Sequence, residues 1–340
     1  MKANLLKNWN DMVYTDLEKP KAELGEAVIK VHYAGVCGSD ISVYTGKHPT
    51  ATAPVVIGHE ILGRIDEING ETELRPGDLV TVDPLISCGV CPACRRGDRH
   101  VCRGLKLLGI HENGGYAEFT KAALDKIVKI PEGLSDKLAA LSEPFAVGAH
   151  VTARSGMKKG DRVLVIGGGP IGIIVALCAK ERGAAVHISE PNRIRRELAE
   201  KLGIDCLDPL DAGFNEKLGL IIGDDGFDVV IEASGSKPGI LMTTEVCRIG
   251  GVIVPMALAG NPVEFILGRV SFKEQTVVGS RVYTHEHFSE GVKLLADISK
   301  KLELDPLVSD ILPLYEANRA IEMMRNGTNA GKILIDCENK

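Results

Sequence analysis

Four cysteines lie close together in the stretch SCGVCPACRRGDRHVC, and their spacing is typical of a metal site. Cys88, Cys91, Cys94 and Cys102 follow the pattern C-x2-C-x2-C-x7-C. Two-residue gaps allow neighbouring thiolates to bind one ion, and four thiolates complete a closed, structural zinc shell. Disulfide bonds are the competing interpretation of such a cluster, and the redox compartment decides between the two.

The composition is that of an ordinary globular protein. The 340 residues are 44% hydrophobic and 25% charged, with a formal net charge of −6. These values exclude a disordered chain, and they favour neither a nucleic-acid partner nor a membrane surface. The N-terminal stretch MKANLLKNWNDMVYTDLEKP has no apolar core of a signal peptide, and no later stretch is long and apolar enough to span a membrane. We therefore expect a cytoplasmic protein with reduced thiols, and a zinc lobe at about residues 86–104.

A second set of metal-ligand types is spread more widely. Cys37 lies in GVCGSD, His59 and Glu60 lie in VIGHEILG, and Glu143 lies in LSEPFAVGAH. A thiolate, an imidazole and a carboxylate make an open zinc site with a position left for water or substrate. Each residue alone is more typical of a structural role, because a lone cysteine is often a small core residue and Glu-Pro often opens a helix. The combination with the cysteine cluster favours a catalytic zinc.

The middle of the chain carries a dinucleotide pattern. The apolar run 163–166 predicts a buried parallel strand, and Gly167-x-Gly169-x-x-Gly172 follows it directly, before an apolar segment of helical length. Glycines at such a turn let backbone N–H groups approach a pyrophosphate. Glu190 ends the next apolar stretch, eighteen residues after Gly172, where it is placed to accept hydrogen bonds from a ribose.

The elements that position these residues predict an α/β protein with two domains. Apolar runs alternate with helical segments after the glycine turn, which predicts a doubly wound parallel sheet of the Rossmann type. The N-terminal part has short strands and many glycines, which predicts a β-rich domain. We expect the β-rich domain at 1–145, the dinucleotide-binding domain at 146–280, and a return to the β-rich domain at 281–340.

Taken together, these motifs resemble those of the zinc-dependent medium-chain dehydrogenases over essentially the full chain. The motifs are Cys37-Gly38-Ser39-Asp40, Gly58-His59-Glu60, the four-cysteine lobe, Glu143-Pro144, the glycine turn and Gly279-Ser280-Arg281. Liver-type alcohol dehydrogenases carry a cysteine where this chain has Glu143-Pro144, so the resemblance is to the branch of sorbitol, threonine and sugar-acid dehydrogenases. It implies a GroES-like catalytic domain with a zinc lobe beside the Rossmann domain.

The resemblance also implies roles for the site residues. Cys37 and His59 bind the catalytic zinc, and Glu60 and Glu143 share the remaining positions with water. Ser39 hands the substrate proton toward the nicotinamide ribose. Relatives often carry a histidine three residues later, where this chain has Ser42. We expect His48 or a chain of water molecules to complete the proton route instead.

Two zinc ions and a nicotinamide cofactor are implied in the same way. Arg281 is expected near the nicotinamide and Arg195 near the adenosine ribose. The residues expected to bind the cofactor are Gly167, Gly169, Pro170, Ile171, Gly172, Glu190, Arg195, Met256, Ala257, Leu258, Ser280 and Arg281. Glu190 should favour NAD over NADP because a carboxylate repels a 2′-phosphate, although Arg193 and Arg195 temper this preference.

The function expected from these parts is reversible hydride transfer from a secondary alcohol, a polyol or a sugar acid, to NAD(P)+. The stretch GIHENGGYAEF resembles dehydrogenases of galactonate, gulonate or idonate, and a threonine- or butanediol-type enzyme of the same family is the alternative. Zinc-free quinone reductases lack the Cys37/His59 pair and the lobe, and are disfavoured. A noncatalytic nucleotide sensor, or a zinc-knuckle nucleic-acid binder, is the alternative of another class. We expect a homo-oligomer, either a dimer or a tetramer.

Overall fold

The computed structural model describes residues 1–257 and 262–339. The chain forms two compact units. The first unit comprises Met1–Glu143, Thr284–Ala296 and the described residues from Asp305 onward. The second unit comprises Pro144–Tyr283 and Asp297–Leu304, so it also takes a short piece of the C-terminal segment. Within the described ranges, no helix combines the length and the apolar character needed to cross a membrane.

The strands, in chain order, are β1 (Lys2–Asn8), β2 (Asp11–Asp16), β3 (Glu26–Gly35), β4 (Val55–Val56), β5 (Glu60–Asn69), β6 (Leu79–Val82), β7 (Leu85–Ile86), β8 (Lys106–Leu107), β9 (Phe119–Ala123), β10 (Ile127–Lys129), β11 (Arg162–Ile166), β12 (Ala185–Ser189), β13 (Asp205–Leu207), β14 (Phe227–Glu232), β15 (Cys247–Pro255), β16 (Thr276–Val277), β17 (Val308–Pro313) and β18 (Lys332–Asp336).

The helices are α1 (Gly38–Tyr44), α2 (Pro92–Arg95), α3 (Asp136–Ala139), α4 (Ser142–Arg154), α5 (Pro170–Glu181), α6 (Arg193–Lys201), α7 (Phe214–Ile222), α8 (Lys237–Val246), α9 (Leu267–Phe272), α10 (His285–Ser299) and α11 (Ala317–Arg325). Short 3-10 turns cover Arg99–Val101, Leu124–Lys126, Asp305–Leu307 and Leu314–Glu316.

The first unit is built around strand β3. Its sequence EAVIKVHYAG is rich in residues that favour strands, and most of its side chains are buried or half-buried. The main sheet has the order β10-β6-β5-β3-β18-β17. Strand β9 pairs with the first half of β3, and β18 pairs with the last residues of β3 on the same side. Both β5 and β18 run antiparallel to β3, so Gly35 at the end of β3 lies opposite Glu60 on one side and Leu334 on the other.

The second unit is a parallel sheet with the order β13-β12-β11-β14-β15-β16. Strands β11 and β14 lie next to each other at its centre, and their apolar side chains are almost all buried. The strand order reverses between β11 and β14, which is where open α/β sheets bind their ligands. The β-rich first unit and this doubly wound sheet confirm the expected fold class.

Candidate active site

Cys37, His59 and Glu60 come together where β3 ends and β5 begins. Cys37 lies between β3 and α1, and Glu60 is the first residue of β5. One ligand atom from each of the three residues lies within 4.8 Å of the other two. A thiolate, an imidazole and a carboxylate at this separation fit a zinc ion that keeps an open position.

Glu143, which we expected to share this ion, lies in the first turn of α4 and is buried. Among the described residues, the group of ligand atoms within 4.8 Å of one another does not include it. Its charge does act on Lys332 of the same unit, and it contributes to raising the pKa of that lysine. The role of Glu143 as a ligand therefore stays a prediction.

Asp40 stands behind both Cys37 and His59, and sequence reasoning missed it. Its Oδ2 accepts a hydrogen bond of 2.9 Å from the backbone N–H of Cys37, which also caps the start of α1. Its Oδ1 lies 3.3 Å from Nδ1 of His59. This leaves Nε2 of His59 as the nitrogen that can bind a metal, the arrangement usual for histidine ligands. The signal was an aspartate at the third helical position after the cysteine.

The electrostatic effect of Asp40 on His59 is strong because both side chains are buried. Burial alone lowers the pKa of His59, but the charges of Asp40 and Cys37 outweigh it and raise that pKa well above its ordinary value. Among the protein groups, Asp40 and Cys37 thus make this position favourable for positive charge. A divalent cation held by His59 would satisfy the same preference.

Tyr116 holds Asp40 in turn. Its hydroxyl donates to Oδ2 of Asp40 at 3.0 Å, and its side chain is fully buried. Its ring lies against Gly58, which has a left-handed backbone conformation with φ +94°. A Cβ on Gly58 would collide with this ring, so the residue before His59 has to be a glycine.

Lys332 is a second buried partner that the sequence analysis missed. Its Nζ donates to Oε1 of Glu60 at 2.5 Å and to the carbonyl oxygen of Val36 at 2.9 Å. Burial lowers the pKa of Lys332, but the charges of Glu60 and Cys37 outweigh it and raise that pKa above its ordinary value. The signal was a lysine at the start of the apolar strand KILID.

Ser39 lies beside the metal-ligand group. Its Oγ is 3.5 Å from Nε2 of His59. The backbone N–H of His48 donates to the carbonyl oxygen of Ser42 at 2.9 Å, so the loop after α1 returns His48 toward Ser42. Nδ1 of His48 accepts from the N–H of Thr50 at 3.4 Å. The proton route through His48 stays a prediction.

The four cysteines of the lobe fit a zinc ion closely. Their Sγ atoms all lie within 4.8 Å of one another. The Sγ–Sγ distances are 4.0 Å for Cys88–Cys94, 3.5 Å for Cys91–Cys94 and 3.9 Å for Cys91–Cys102. Zinc–sulfur bonds of about 2.3 Å place tetrahedral sulfurs about 3.8 Å apart, which matches these values. Backbone N–H groups of Cys94 and Arg103 lower the pKa of Cys91 to about 6, which favours the thiolate that zinc requires.

The glycine turn of the second unit has the shape that a pyrophosphate needs. It joins β11 to α5, and Gly167 has φ +107°. A Cβ on Gly167 would approach the backbone nitrogen of Ser234 to 2.9 Å, and a Cβ on Gly172 would collide with the carbonyl oxygen of Gly167. Pro170 and Ile171 open α5, whose first N–H groups are available to an anion.

Glu190 lies directly after β12 and is buried against the turn. Its Oε2 accepts from the N–H of Gly168 at 2.6 Å, and its Oε1 accepts from the N–H of Asn192 at 2.8 Å. Nη1 of Arg195 lies 3.9 Å from the position of a Cβ on Gly169. An acid and a guanidinium group therefore flank the turn, as a cofactor ribose site requires.

The other predicted cofactor residues follow the outer strands of the same sheet. Met256 and Ala257 come directly after β15, and their N–H groups donate to the carbonyl oxygen of Glu232 at 2.9 and 3.1 Å. Leu258 lies outside the described residues. Ser280 and Arg281 follow β16. Because the carboxyl ends of parallel strands share one edge of the sheet, the described segments after β15 and β16 follow the edge that carries the glycine turn.

The loop after β14 was missed and belongs with these segments. Oε1 of Glu232 accepts from the N–H and the hydroxyl of Ser234 and from the N–H of Gly235 at 2.5–2.9 Å. This clamp fixes the loop against Gly167, at the point where the strand order reverses. The signal was the small-residue stretch EASGS directly after a buried strand.

Comparison with known proteins gives two family matches. Residues 23–132 match the family described as alcohol dehydrogenase GroES-like domain. Residues 170–297 match the family described as zinc-binding dehydrogenase. The first range holds Cys37, His59, Glu60 and the lobe, and the second begins at Pro170, so it holds Gly172 of the glycine turn and Glu190.

Three individual proteins are similar over nearly the whole chain. The 2-dehydro-3-deoxy-L-galactonate 5-dehydrogenase of Pseudoalteromonas atlantica is 35% identical over 93% of this chain and 92% of its own length. The sorbitol dehydrogenase of Halalkalibacterium halodurans is 35% identical over 94% of each chain. A solved structure from Sinorhizobium meliloti 1021, described as a zinc-binding dehydrogenase bound to NADP, superposes with a TM-score of 0.88 at 31% identity and covers 98% of each chain.

Proposed function

Because the chain belongs to the zinc-dependent medium-chain dehydrogenase family, we propose that it oxidises a secondary alcohol, either a polyol or a sugar acid, with reversible hydride transfer to NAD(P)+. The observation that carries this proposal is the meeting of Cys37, His59 and Glu60 within 4.8 Å, with Asp40 behind them. These residues suit the binding of a metal ion and of a substrate oxygen beside it.

Within this proposal, the protein holds the metal and moves a proton. Bound zinc supplies Lewis-acid chemistry, which lowers the pKa of the substrate hydroxyl. Cys37, His59, Glu60 and Glu143 would hold the ion, and Asp40, whose Oδ1 lies 3.3 Å from Nδ1 of His59, would orient the imidazole ring. Oγ of Ser39, next to His59, accepts the hydroxyl proton and passes it on. A bound nicotinamide would serve as the hydride acceptor, and the protein would have to orient it.

We propose NAD as the preferred cofactor. The carboxylate of Glu190 lies against the turn that would bind the pyrophosphate, and it repels a 2′-phosphate. Arg195 lies near the same turn and gives NADP a weaker alternative. Support for a nicotinamide cofactor of either kind comes from the NADP-bound S. meliloti structure.

The substrate class is proposed from the relatives. Two proteins that are each 35% identical to this chain are named for a sugar acid and for a polyol. Both kinds of compound present a secondary hydroxyl flanked by further polar groups. We therefore place sugar acids and polyols ahead of simple alcohols.

We also propose a cytoplasmic homo-oligomer. Reduced thiols at Cys37 and in the lobe fit a reducing compartment. Large apolar side chains are exposed near the edge strand β16, including Phe272 at 93%, Leu267 at 70% and Ile249 at 67%. Large apolar side chains exposed to this degree suit contact with another chain.

The test is turnover on a panel of substrates. NAD or NADP reduction is followed with sugar alcohols, aldonates, L-threonine and 2,3-butanediol, before and after a chelator has removed the accessible metal. We expect turnover on a polyol or an aldonate that is lost on chelation and restored by zinc. No turnover across the panel by zinc-loaded protein, or full turnover after metal removal, would contradict the proposal.

Three variants locate the activity. Cys37→Ala should lose the metal, whereas Glu60→Gln and Glu143→Gln should keep it and lose hydride transfer. Cys206→Ala is the control for Cys37→Ala, because it also removes a half-buried thiol, but from strand β13 of the second unit. It should keep both the metal and the turnover. Full zinc content and near-normal turnover in both glutamate variants would rule out the proposed ligand set.

A further inference from the structure

The ion pair between Lys332 and Glu60 is buried beside the metal-ligand group. Glu60 has no exposed surface and Lys332 is 2% exposed. Removing two charges from water is costly, and a pair at this depth persists only with close geometry and further hydrogen bonds. Lys332 has both, since it donates to Oε1 of Glu60 and to the carbonyl oxygen of Val36.

Lys332 and Glu60 meet at the end of β3, where Gly35 has no side chain to obstruct the carboxylate. Lys332 starts β18 and Glu60 starts β5, and β3 lies between these two strands. Leu334 lies opposite Gly35, and Nζ of Lys332 reaches Glu60 just past the end of β3, where it also donates to the carbonyl oxygen of Val36. A Cβ on Gly35 would collide with Oε2 of Glu60 and would approach its Cβ to 2.9 Å. Gly35 has no positive φ among the described backbone conformations, so its missing side chain, rather than its backbone freedom, makes it necessary.

The carboxylate of Glu60 is left with one occupied oxygen. Oε1 accepts from Lys332, whereas Oε2 is buried and accepts no hydrogen bond among the described groups. The same carboxylate provides a ligand atom within 4.8 Å of Cys37 and His59. A metal ion in this group and the ammonium of Lys332 therefore compete for the charge of Glu60.

We propose that Lys332 and Gly35 are positioning residues that set how strongly Glu60 binds the metal ion. Gly35 provides the space for the carboxylate of Glu60, and the ammonium of Lys332 partly neutralises the charge of that carboxylate. The ion then keeps more of its own charge for the substrate oxygen, which is what a Lewis acid needs. This inference depends on the proposed function only for its consequence for turnover.

Lys332→Met should therefore act on metal binding and on turnover in opposite directions. The metal then no longer competes with the ammonium of Lys332 for Glu60, and the repulsion between ammonium and metal disappears, so metal affinity should rise by about 10-fold or more. Turnover should fall, because a fully engaged carboxylate reduces the charge available to the substrate. A purely structural lysine would lower the affinity and the turnover together.

The experiment uses the full-length protein with zinc retained in the lobe and Co2+ titrated into the open site against a competing chelator. The readouts are the Co2+ affinity, the visible absorption bands of the bound Co2+, and the urea midpoint of the protein without open-site metal. Lys332→Arg keeps the charge and should resemble the wild type. Lys30→Met is the matched control, because Lys30 forms an exposed ion pair of 2.6 Å with Glu338.

Two further variants keep the test decisive. In the Glu60→Gln background, Lys332→Met should raise the Co2+ affinity by a smaller factor than it does in the wild type, because the competing carboxylate is gone and only the repulsion between ammonium and metal is removed. Gly35→Ala should displace the carboxylate while Lys332 keeps its charge, and should shift the Co2+ bands as Glu60→Gln does.

The inference is overturned if Lys332→Met binds Co2+ no more tightly than the wild type, or if Lys332→Met raises the affinity by the same factor in the Glu60→Gln background as in the wild type. It is also overturned if Lys332→Met does not fold and Gly35→Ala leaves the Co2+ bands unchanged. The Co2+ titration needs no substrate. A failed substrate panel would therefore contradict the proposed function and leave this result standing.

Discussion

Tyr116→Phe should weaken metal binding although the hydroxyl of Tyr116 bonds to Asp40 rather than to a metal ligand. Its hydroxyl donates to Oδ2 of Asp40 at 3.0 Å, and the N–H of Cys37 donates to the same oxygen at 2.9 Å. The substitution leaves the ring packed against Gly58 and removes only the hydroxyl donor. Asp40 then loses part of what holds it against His59.

The size of the expected effect on stability and on metal affinity follows from the burial of Tyr116 and Asp40. A hydrogen bond to a charged group contributes about 1.5–3 kcal/mol, so the free energy of unfolding should fall by that amount. Loss of a group directly behind a metal-binding histidine typically costs about 10–100-fold in affinity. Tyr116 acts one step further away, through Asp40, so we expect about a tenfold loss of metal affinity.

The assay compares two tyrosines of the same unit. Tyr44→Phe is the matched control, because its hydroxyl donates to the neutral carbonyl oxygen of Asn10 at 3.2 Å near the surface. Co2+ affinity is measured by competition with a chelator, and stability by the urea midpoint of the protein without open-site metal. Asp40→Asn and the Asp40→Asn/Tyr116→Phe double variant complete a cycle that isolates the coupling.

The reasoning is refuted if Tyr116→Phe is as mild as Tyr44→Phe in both measurements. It is also refuted if Tyr116→Phe has its full effect in the Asp40→Asn background, since the hydroxyl would then act independently of that carboxylate.

Elemental analysis should find two zinc ions per chain. A chelator should remove the ion held by Cys37 long before the ion in the closed lobe. A single zinc ion in the wild type would contradict this prediction. Glu190→Ala should raise KM for NAD by about tenfold or more and narrow the preference over NADP, and a wild type that prefers NADP would show our interpretation of this acid to be wrong. Burial raises the pKa of Asp83, but the hydrogen bond from His285 and the charge of Lys126 outweigh it and lower that pKa. The stabilisation by Asp83 is therefore complete above the unfolded pKa of about 3.9 and disappears as the pH falls through the lowered folded value. Urea midpoints should show Asp83→Asn less stable than the wild type at neutral pH, and this deficit should shrink as the pH falls below about 3.9. A deficit that does not change with pH would contradict the assignment.

Local spacing in the sequence was sufficient to predict the four-cysteine lobe and the glycine turn. The four cysteines of the lobe lie in one short segment, from Cys88 to Cys102, which keeps them close to one another. Their spacing alone therefore predicted the cluster that the structure shows. The glycine turn was equally predictable, because strand, glycines, helix and acid follow one another within one supersecondary unit. The fold class followed from the same local periodicities.

Long-range pairing decided the rest of the site. The sequence identified Cys37, His59 and Glu60 as ligand types, but it did not show which side chains hold them. Lys332 lies 272 residues from Glu60, and Tyr116 lies 76 residues from Asp40.

These partners meet because β5 and β18 pair with opposite sides of β3, and because the chain before β9 packs against Gly58. Residue types and their local spacing report which groups could do chemistry. They do not report which strands become neighbours, because strand pairing depends on contacts between segments far apart in the chain. Only the tertiary structure therefore decided the charge balance around the predicted metal.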